Sequence, residues 1–181
     1  VQGAVAVVLV IFFDMRIFQS LAAHGGAGMV ACITISIVWL VVITNAMNFL
    51  DNMDGLSAGV GVVVAGLYLA ATLIAGQWFV AALCALWVGA LLGFLVFNFP
   101  SAKVFMGDAG SLVIGLLIAV ISVRTTYFEA DALLDPPHWY GILMPLLLLA
   151  VPLYDFTSVT LMRILAGKSP MSADRNHLSH R

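Results

Sequence analysis

The sequence feature that most constrains the fold is a long stretch, Leu56–Phe99, that contains no charged residue. A transmembrane helix needs about 20 predominantly apolar residues, so this stretch is long enough for two. The turn-forming sequence Gly76–Trp78 divides it, which predicts helices near 56–75 and 78–98. In the whole chain 63% of the residues are hydrophobic and 9% are charged, against about 25% charged in a soluble domain. We therefore expect an integral membrane protein.

The other apolar runs extend this to an all-α fold, a polytopic transmembrane helical bundle of about five full spans plus one truncated span. The expected spans are 29–45, 56–75, 78–98, 112–123 and 139–162, the truncated span is 1–13, and the loops are 14–28 and 124–138. Because the first residue already lies in an apolar run, we expect a fragment of a longer protein. We expect one integral membrane domain over 1–181, with 163–181 as a cytoplasmic tail.

A polar segment interrupts the apolar sequence between residues 45 and 56. Asn45, Asn48, Asp51 and Asp54 recur at every third residue, a spacing that in a helix spreads them over about half of the circumference. Gly55 is expected to end that helix. An aspartate at the centre of a membrane helix costs about 2.5–3.5 kcal/mol, so charged residues between two apolar runs need a reason to be there. An ordinary polar loop has no reason to keep a three-residue spacing, and the regular spacing therefore favours a functional site. Amide and carboxylate oxygens suit a cation, a sugar or a nucleotide.

A second polar segment carries Asp108 between two glycines, with Ser111 at the start of the next helix. A carboxylate at a helix N-terminus can hold Mg²⁺ beside substrate phosphates, or it can act only as a helix cap. Two spans separate this segment from the first, so both are expected on one side of the membrane. Lys103 and the basic residues of 163–181 share that side, which the positive-inside rule assigns to the cytoplasm.

The tail, Arg163–Arg181, holds a third group of polar residues: Asp174, Arg175, His177 and His180. The two histidines alone make a weak zinc site because no third ligand such as cysteine is near. Phosphate binding by the basic side chains and a simple solvated tail both remain open from spacing alone.

The remaining polar and sulfur-containing residues have simpler interpretations. We interpret Asp155 as a carboxylate satisfied by a neighbouring helix and Arg163 as an anchor at the membrane interface. Cys32 and Cys84 lie inside apolar runs and are expected to be core residues, not a disulfide or a metal pair. The net charge of −2 gives no basic surface, so nucleic acid is not an expected partner.

Taken together, three segments resemble motifs of the polyprenyl-phosphate N-acetylhexosamine-1-phosphate transferases, glycosyltransferase family 4. Asn45–Leu56 is similar to the family's Asn-Ala-x-Asn-x-x-Asp-Gly-x-Asp-Gly-Leu loop, and Ala102–Leu112 to its Phe-Met-Gly-Asp-x-Gly-Ser signature. Pro152–Asp155, Arg163, Ser169–Pro170 and Asp174–His177 resemble its last span and tail. The tail is closer to the branch that initiates O-antigen, teichoic acid or other envelope glycans than to the muramoyl-pentapeptide branch.

This resemblance implies an enzyme of the bacterial cytoplasmic membrane with its active site facing the cytoplasm. It would transfer a sugar-1-phosphate, N-acetylhexosamine-1-phosphate, from a UDP-sugar to undecaprenyl phosphate and release UMP. The implied cofactor is Mg²⁺, with Mn²⁺ as the alternative ion, and the implied partners are the two substrates, the lipid bilayer and, as an open question, a second copy of the chain. The implied roles are catalysis for Asp51, Asp54, Asp108, His177 and His180, substrate binding for Asn45, Asn48, Asn98, Lys103, Asp174 and Arg175, and metal binding for Asp108 and Asp51.

The chain departs from the family pattern at three points. His177–His180 has a serine where the family commonly has a third histidine, and Asn52 stands where glycine is usual. The sequence also contains no adjacent pair of aspartates, which the family carries nearer its N-terminus. Two other functions stay open: an ion-coupled secondary transporter that uses the intramembrane aspartates, and a non-catalytic remnant that binds a nucleotide-sugar.

Overall fold

The computed structural model describes residues 1–130 and 139–167, except for the side chains at 20, 23 and 126–142. These residues form seven α-helices and one 3₁₀ helix, with no β-strand among them. The helices are α1 (Gln2–Phe12), α2 (Gly26–Leu50), α3 (Leu56–Ile74), α4 (Trp78–Asn98), α5 (Gly107–Ala130), α6 (Trp139–Leu148) and α7 (Ala150–Leu165), and the 3₁₀ helix is Gln19–His24.

Four of these helices, α2 to α5, are long and apolar enough to cross a membrane. They confirm the all-α polytopic bundle. The predicted helices 56–75 and 78–98 match α3 and α4 almost residue for residue, because Gly76 with φ +70° forms the tight turn between them. The short α1 corresponds to the expected truncated span.

The polar segment after α2 is not one continuous helix, and in this respect the prediction was wrong. Helix α2 continues past the expected end at 45 to Leu50, so only the first two polar residues of the segment are helical. The N–H of Asp51 bonds to the carbonyl of Asn48, and the side chain of Asn52 donates to the carbonyl of Phe49. These local bonds close the helix, and residues 51–55 form turns that end at Gly55, with φ +73°.

The loop expected from Arg124 onward was also placed wrongly, because α5 continues to Ala130. No glycine or proline follows Gly115 before Pro136, so the sequence contains nothing that ends the helix earlier. The hydroxyls of Ser122 and Thr125 donate to carbonyls of the preceding turn, which satisfies them inside the helix.

The last expected span, 139–162, is built as two helices that are separated at Leu149. In a continuous helix the carbonyl of Leu148 would accept the N–H of residue 152, but Pro152 has no N–H. Proline at this position therefore explains why α6 ends and α7 begins here. Together the two helices cover the length of the expected fifth span.

Helix α2 lies at the centre of the bundle and packs against α1, α5 and α7, whereas α3 packs against α4 and α5. Helix α5 lies tight against α2 at Gly115, where a Cβ atom would lie 2.7 Å from Cα and 2.8 Å from the carbonyl oxygen of Thr44. Farther from the polar loops, Trp39 Nε1 donates to Ser122 Oγ at 2.9 Å across the same pair of helices. Only glycine fits at 115, so this contact sets how the two helices are aligned.

The two cysteines are free and buried, as expected for core residues. Cys32 Sγ donates to the carbonyl of Ile17 at 3.2 Å, and the N–H of Ile17 donates to Ser36 Oγ at 2.9 Å. The segment between α1 and α2 is thereby held against α2, at the end of the bundle opposite Leu50.

Candidate functional site

Two polar loops meet at one end of the bundle. Loop 51–55 joins the end of α2 to the start of α3, and loop 99–106 joins the end of α4 to the start of α5. Hydrogen bonds that connect the two loops, described below, confirm that the aspartates of both loops lie at the same end of the helical bundle. The even number of crossings between them is the physical reason.

Asn48 connects the two acidic segments directly. It lies in the last turn of α2, and its Nδ2 donates to Asp108 Oδ1 at 3.2 Å and to Ser111 Oγ at 2.8 Å. Both acceptors belong to the first two turns of α5, and Ser111 Oγ also donates to the carbonyl oxygen of Gly107 at 3.2 Å. Asn48 therefore orients the carboxylate of Asp108 at a helix N-terminus, a position where backbone N–H groups favour anions.

Asp51 follows α2 directly and is partly buried. Burial, and to a smaller extent the negative charge of Asp108, raise the pKa of the Asp51 carboxyl above its usual range. The charge of Asp108 thus disfavours the ionised form of Asp51. A cation bound near both carboxylates would favour their ionised forms.

Asp54 and Asn98 tie the loops together. The exposed carboxylate of Asp54 accepts the N–H of Ala102 at 3.0 Å through Oδ2. Asn98 is buried at the end of α4, where its Oδ1 accepts the N–H of Gly55 at 2.9 Å and its Nδ2 donates to the carbonyl of Val104 at 2.8 Å. The structure thus gives both residues contacts within the protein, and their roles toward a substrate stay predictions.

Two other predicted residues are placed differently. The amide of Asn45 donates to Gln2 Oε1 at 2.7 Å and to the carbonyl of Val41 at 2.8 Å, so it lies against α1 and not with Asp108. Lys103 is exposed in loop 99–106, beside the acidic residues in sequence. The substrate-binding roles of both stay predictions.

The four predicted residues of the tail, Asp174, Arg175, His177 and His180, lie outside the described residues. The structure does describe where the tail begins. Arg163, in the last turn of α7, places its guanidinium 5.2 Å from the ring centroid of Phe49 in the last turn of α2. The start of the tail is therefore next to the acidic loops.

Arg163 is 4% exposed, so the interpretation of this residue as an anchor at the membrane interface was wrong. Its charge is instead held inside the bundle against the face of Phe49, which itself packs on Phe156 with ring centroids 5.1 Å apart. Asp155 on the same helix is also buried. The role of Phe49 could not be predicted from the sequence, because nothing in an apolar helix indicates that an arginine from another helix packs on one of its phenylalanines.

The described residues fit a magnesium ion only in part by themselves. Within 1–130 and 139–167, no group of three or more His, Cys, Asp or Glu side chains gathers around one point. Mg²⁺, however, is typically bound by one or two carboxylates, with substrate phosphate oxygens and water completing the shell. Asp108, whose exposed carboxylate is oriented by Asn48 at the start of α5, fits one position of such a shell, and Asp51 at the end of α2 is the candidate for a second.

Comparison with known proteins adds a family match that covers most of the chain. The profile described as "Glycosyl transferase family 4" matches residues 1–126. This range contains both acidic loops and ends before α7 and the tail.

Several curated proteins are similar to this chain. A "Probable undecaprenyl-phosphate N-acetylglucosaminyl 1-phosphate transferase" of Bacillus subtilis (strain 168) is 36% identical over 148 residues, which cover 81% of this chain and 39% of that protein. A "Decaprenyl-phosphate N-acetylglucosaminephosphotransferase" of Mycolicibacterium smegmatis is 35% identical over an alignment 177 residues long, and the alignment covers 87% of this chain and 43% of the relative.

A "Phospho-N-acetylmuramoyl-pentapeptide-transferase" of Geobacillus thermodenitrificans is 50% identical over 82 residues, which cover 45% of this chain and 25% of the relative. The chain spans about two fifths of the length of the first two relatives, which are 39% and 43% covered.

Proposed function

Because this chain belongs to glycosyl transferase family 4, we propose that it forms the acidic half of the active site of a membrane-bound phosphosugar transferase. The enzyme would move N-acetylhexosamine-1-phosphate from a UDP-sugar to undecaprenyl phosphate, with release of UMP, and so begin a cell-envelope glycan. The names of the relatives support both the sugar class and the polyprenyl acceptor.

The observation that carries the proposal is the contact of Asn48 with Asp108 and Ser111. It joins, at one end of an apolar bundle, two polar segments that are separated by two spans. A site at the end of the spans suits a reaction between a water-soluble nucleotide-sugar and a phosphate on a lipid. The acidic loops also lie away from the middle of the spans, which disfavours the transporter alternative.

In the proposed reaction an oxygen of the lipid phosphate attacks the sugar-linked phosphorus of the UDP-sugar. A new P–O bond forms, and the bond from this phosphorus to the bridging oxygen breaks, so that UMP leaves with that oxygen. Mg²⁺, when bound, would neutralise the negative charge of the two phosphates. Electrostatic stabilisation of this kind is usually the largest single contribution to such a transfer.

The residues of the chain would hold the reactants in place. Asp108 would keep the orientation that Asn48 gives its carboxylate, and it would bind the ion together with Asp51. Asp54 would keep loop 99–106 in place through the N–H of Ala102. For the tail, we propose that Arg175 and the two histidines His177 and His180 bind the diphosphate next to Arg163, and that Asp174 binds another part of the substrate.

We place the protein in the bacterial cytoplasmic membrane with the two acidic loops on the cytoplasmic side, where UDP-sugars are made. The support is the excess of basic residues on that side, Lys103 and those of the tail, over Arg16 and Arg124. The exposed apolar surfaces of the four long helices are suited to lipid and to the prenyl chain.

The proposal is tested by UMP release from UDP-N-acetylglucosamine by the intact protein in membranes, with and without Mg²⁺ and undecaprenyl phosphate. Asp108→Asn should lower the rate by at least about 100-fold, because it removes the negative charge that would hold Mg²⁺ at the reacting phosphates. The matched control is Asp14→Asn, at the opposite end of the bundle, where φ of 54° is a value that asparagine tolerates.

Near-normal turnover by Asp108→Asn would refute the role of this carboxylate. UMP release that does not require the lipid phosphate would refute the acceptor. Binding of the UDP-sugar without any release of UMP would instead support the non-catalytic alternative.

A further inference from the structure

Asn98 joins the two acidic loops from a buried position. It is the last residue of α4 and is 5% exposed. Its Oδ1 accepts the N–H of Gly55, the last residue of loop 51–55, and its Nδ2 donates to the carbonyl of Val104 in loop 99–106. One side-chain amide thus bonds to both loops at the same time.

The surroundings of Asn98 hold it firmly. The carbonyl of Phe97, the residue before it, accepts the N–H of Lys103 at 2.8 Å, which fixes the following loop to the end of the helix. On the other side, a Cβ atom at Gly55 would lie 3.6 Å from the carbonyl oxygen of Asn98, so loop 51–55 rests on this helix end. The φ of +73° at Gly55 is one that glycine adopts without strain.

A second link between the loops, from Ala102 N–H to Asp54, is exposed. Water competes for hydrogen bonds at an exposed position, whereas a buried donor or acceptor that loses its partner is left unsatisfied. Of the two links, the one through Asn98 is therefore the more important for the spacing of the loops.

We propose that Asn98 is a positioning residue, which sets the distance between the loop that carries Asp51 and the loop that leads to Asp108. Its buried amide bonds to both loops at once, so the effect on catalysis that we propose for it is exerted through the aspartates of those loops. The kinetic part of this inference rests on the proposed function, but the geometric part does not.

The geometric part is tested with spin labels on Met53→Cys and Ser101→Cys, one in each loop and both exposed. Cys32 and Cys84 are fully buried and should stay unlabelled. In the intact protein, pulsed electron paramagnetic resonance should give a narrow distribution of distances. Asn98→Ala should broaden it, whereas the control Val96→Ala, an exposed residue of the same helix, should leave it unchanged.

The kinetic part is tested by UMP release in the same variants without labels. Asn98→Ala should lower kcat on the order of 100-fold, as expected when reacting groups are displaced by about 1 Å. KM for the UDP-sugar should change little, because a positioning residue makes no ground-state contact with it. A raised KM with unchanged kcat would overturn the proposal, since it identifies a residue that binds the substrate.

An unchanged distance distribution in Asn98→Ala would also overturn it. If that variant does not fold, Asn98→Asp replaces it in the distance measurement, because aspartate keeps the acceptor for Gly55 but loses the donor to Val104. A narrow, unshifted distribution in Asn98→Asp would then overturn the proposal. If the Asn98 variant broadens the distance distribution but the wild-type protein has no transferase activity, Asn98 still sets the spacing of the loops and only the proposed function is refuted.

Discussion

Substitution of Gly115 by alanine should weaken the hydrogen bonds of Asn48 in the candidate site, although Gly115 lies about one helical turn away from them. A Cβ atom at 115 would lie 2.7 Å from Thr44 Cα, whereas an ordinary contact is at least 3.4 Å, so α5 must move away from α2 by about 0.7 Å or more. Gly115 and Thr44 each lie four residues, about 6 Å along the helix, from the pair Ser111 and Asn48. The movement should therefore reach that pair.

The expected loss follows from the distances in the site. The hydrogen bond from Asn48 Nδ2 to Ser111 Oγ is 2.8 Å long, and that to Asp108 Oδ1 is 3.2 Å. An added separation of about 0.7 Å lengthens them to about 3.5 and 3.9 Å, at or beyond the limit of a hydrogen bond. Asp108 would lose its orientation, and the rate of UMP release should fall on the order of 100-fold.

Stability should fall as well, by about 1–3 kcal/mol, which is typical of overpacking in a close-packed interior. The assays are UMP release and thermal unfolding in detergent. The matched control is Gly89→Ala in α4, where a Cβ atom meets nothing within 4 Å and the helix should gain stability. Wild-type activity and stability in Gly115→Ala would refute the argument that the contact of α5 with α2 aligns the site.

Three further predictions concern charge, packing and orientation. The pKa of the Asp51 carboxyl is raised in the folded protein, so the folded state binds the proton more tightly than the unfolded state does. The protein should therefore lose stability as the pH rises from about 4, the pKa in the unfolded chain, through the raised pKa. Thermal unfolding measured across pH without divalent ions should show this loss, and Asp51→Asn should remove it. Phe49→Leu should lower stability by about 0.5–2 kcal/mol, because the cation–π contact with the buried Arg163 is lost, and an unchanged unfolding temperature would contradict that contact. Cysteines at Ser101 and Ala75 should react with impermeant thiol reagents from the cytoplasm and from outside, respectively; the opposite pattern would reverse the proposed orientation.

The sequence predicts the spans well because apolar length is a strong signal, and Gly76 marks the turn between α3 and α4. It predicts the end of α2 badly because that end depends on hydrogen bonds of Asn48 and Asn52 with the local backbone. The extension of α5 past Arg124 was missed for a related reason. Arginine has a high helix propensity, so Arg124 does not by itself end the helix.

The convergence of the two acidic loops could be predicted from the number of crossings alone. Which atoms bond to each other could not. Asn48 bonds to Asp108 and Ser111 because α5 comes close to α2, and α5 can come this close because glycine at 115 has no Cβ atom. In the same way, Pro152 marks the break at Leu149, but the burial of Arg163 also depends on the packing of α7 against α2, which has no local sequence signal.

The unequal lengths of the helices have a consequence for how the protein sits in lipid. Helix α2 has 25 residues and at about 1.5 Å per residue is about 37 Å long, whereas the hydrocarbon layer is about 30 Å thick. A surplus of about 7 Å, or more than one turn, at the C-terminal end of α2 would place Asn48 in the headgroup layer, where the phosphates of lipids also lie. A thicker bilayer would draw this turn toward the acyl chains, so membrane thickness would tune how deeply the aspartates are immersed.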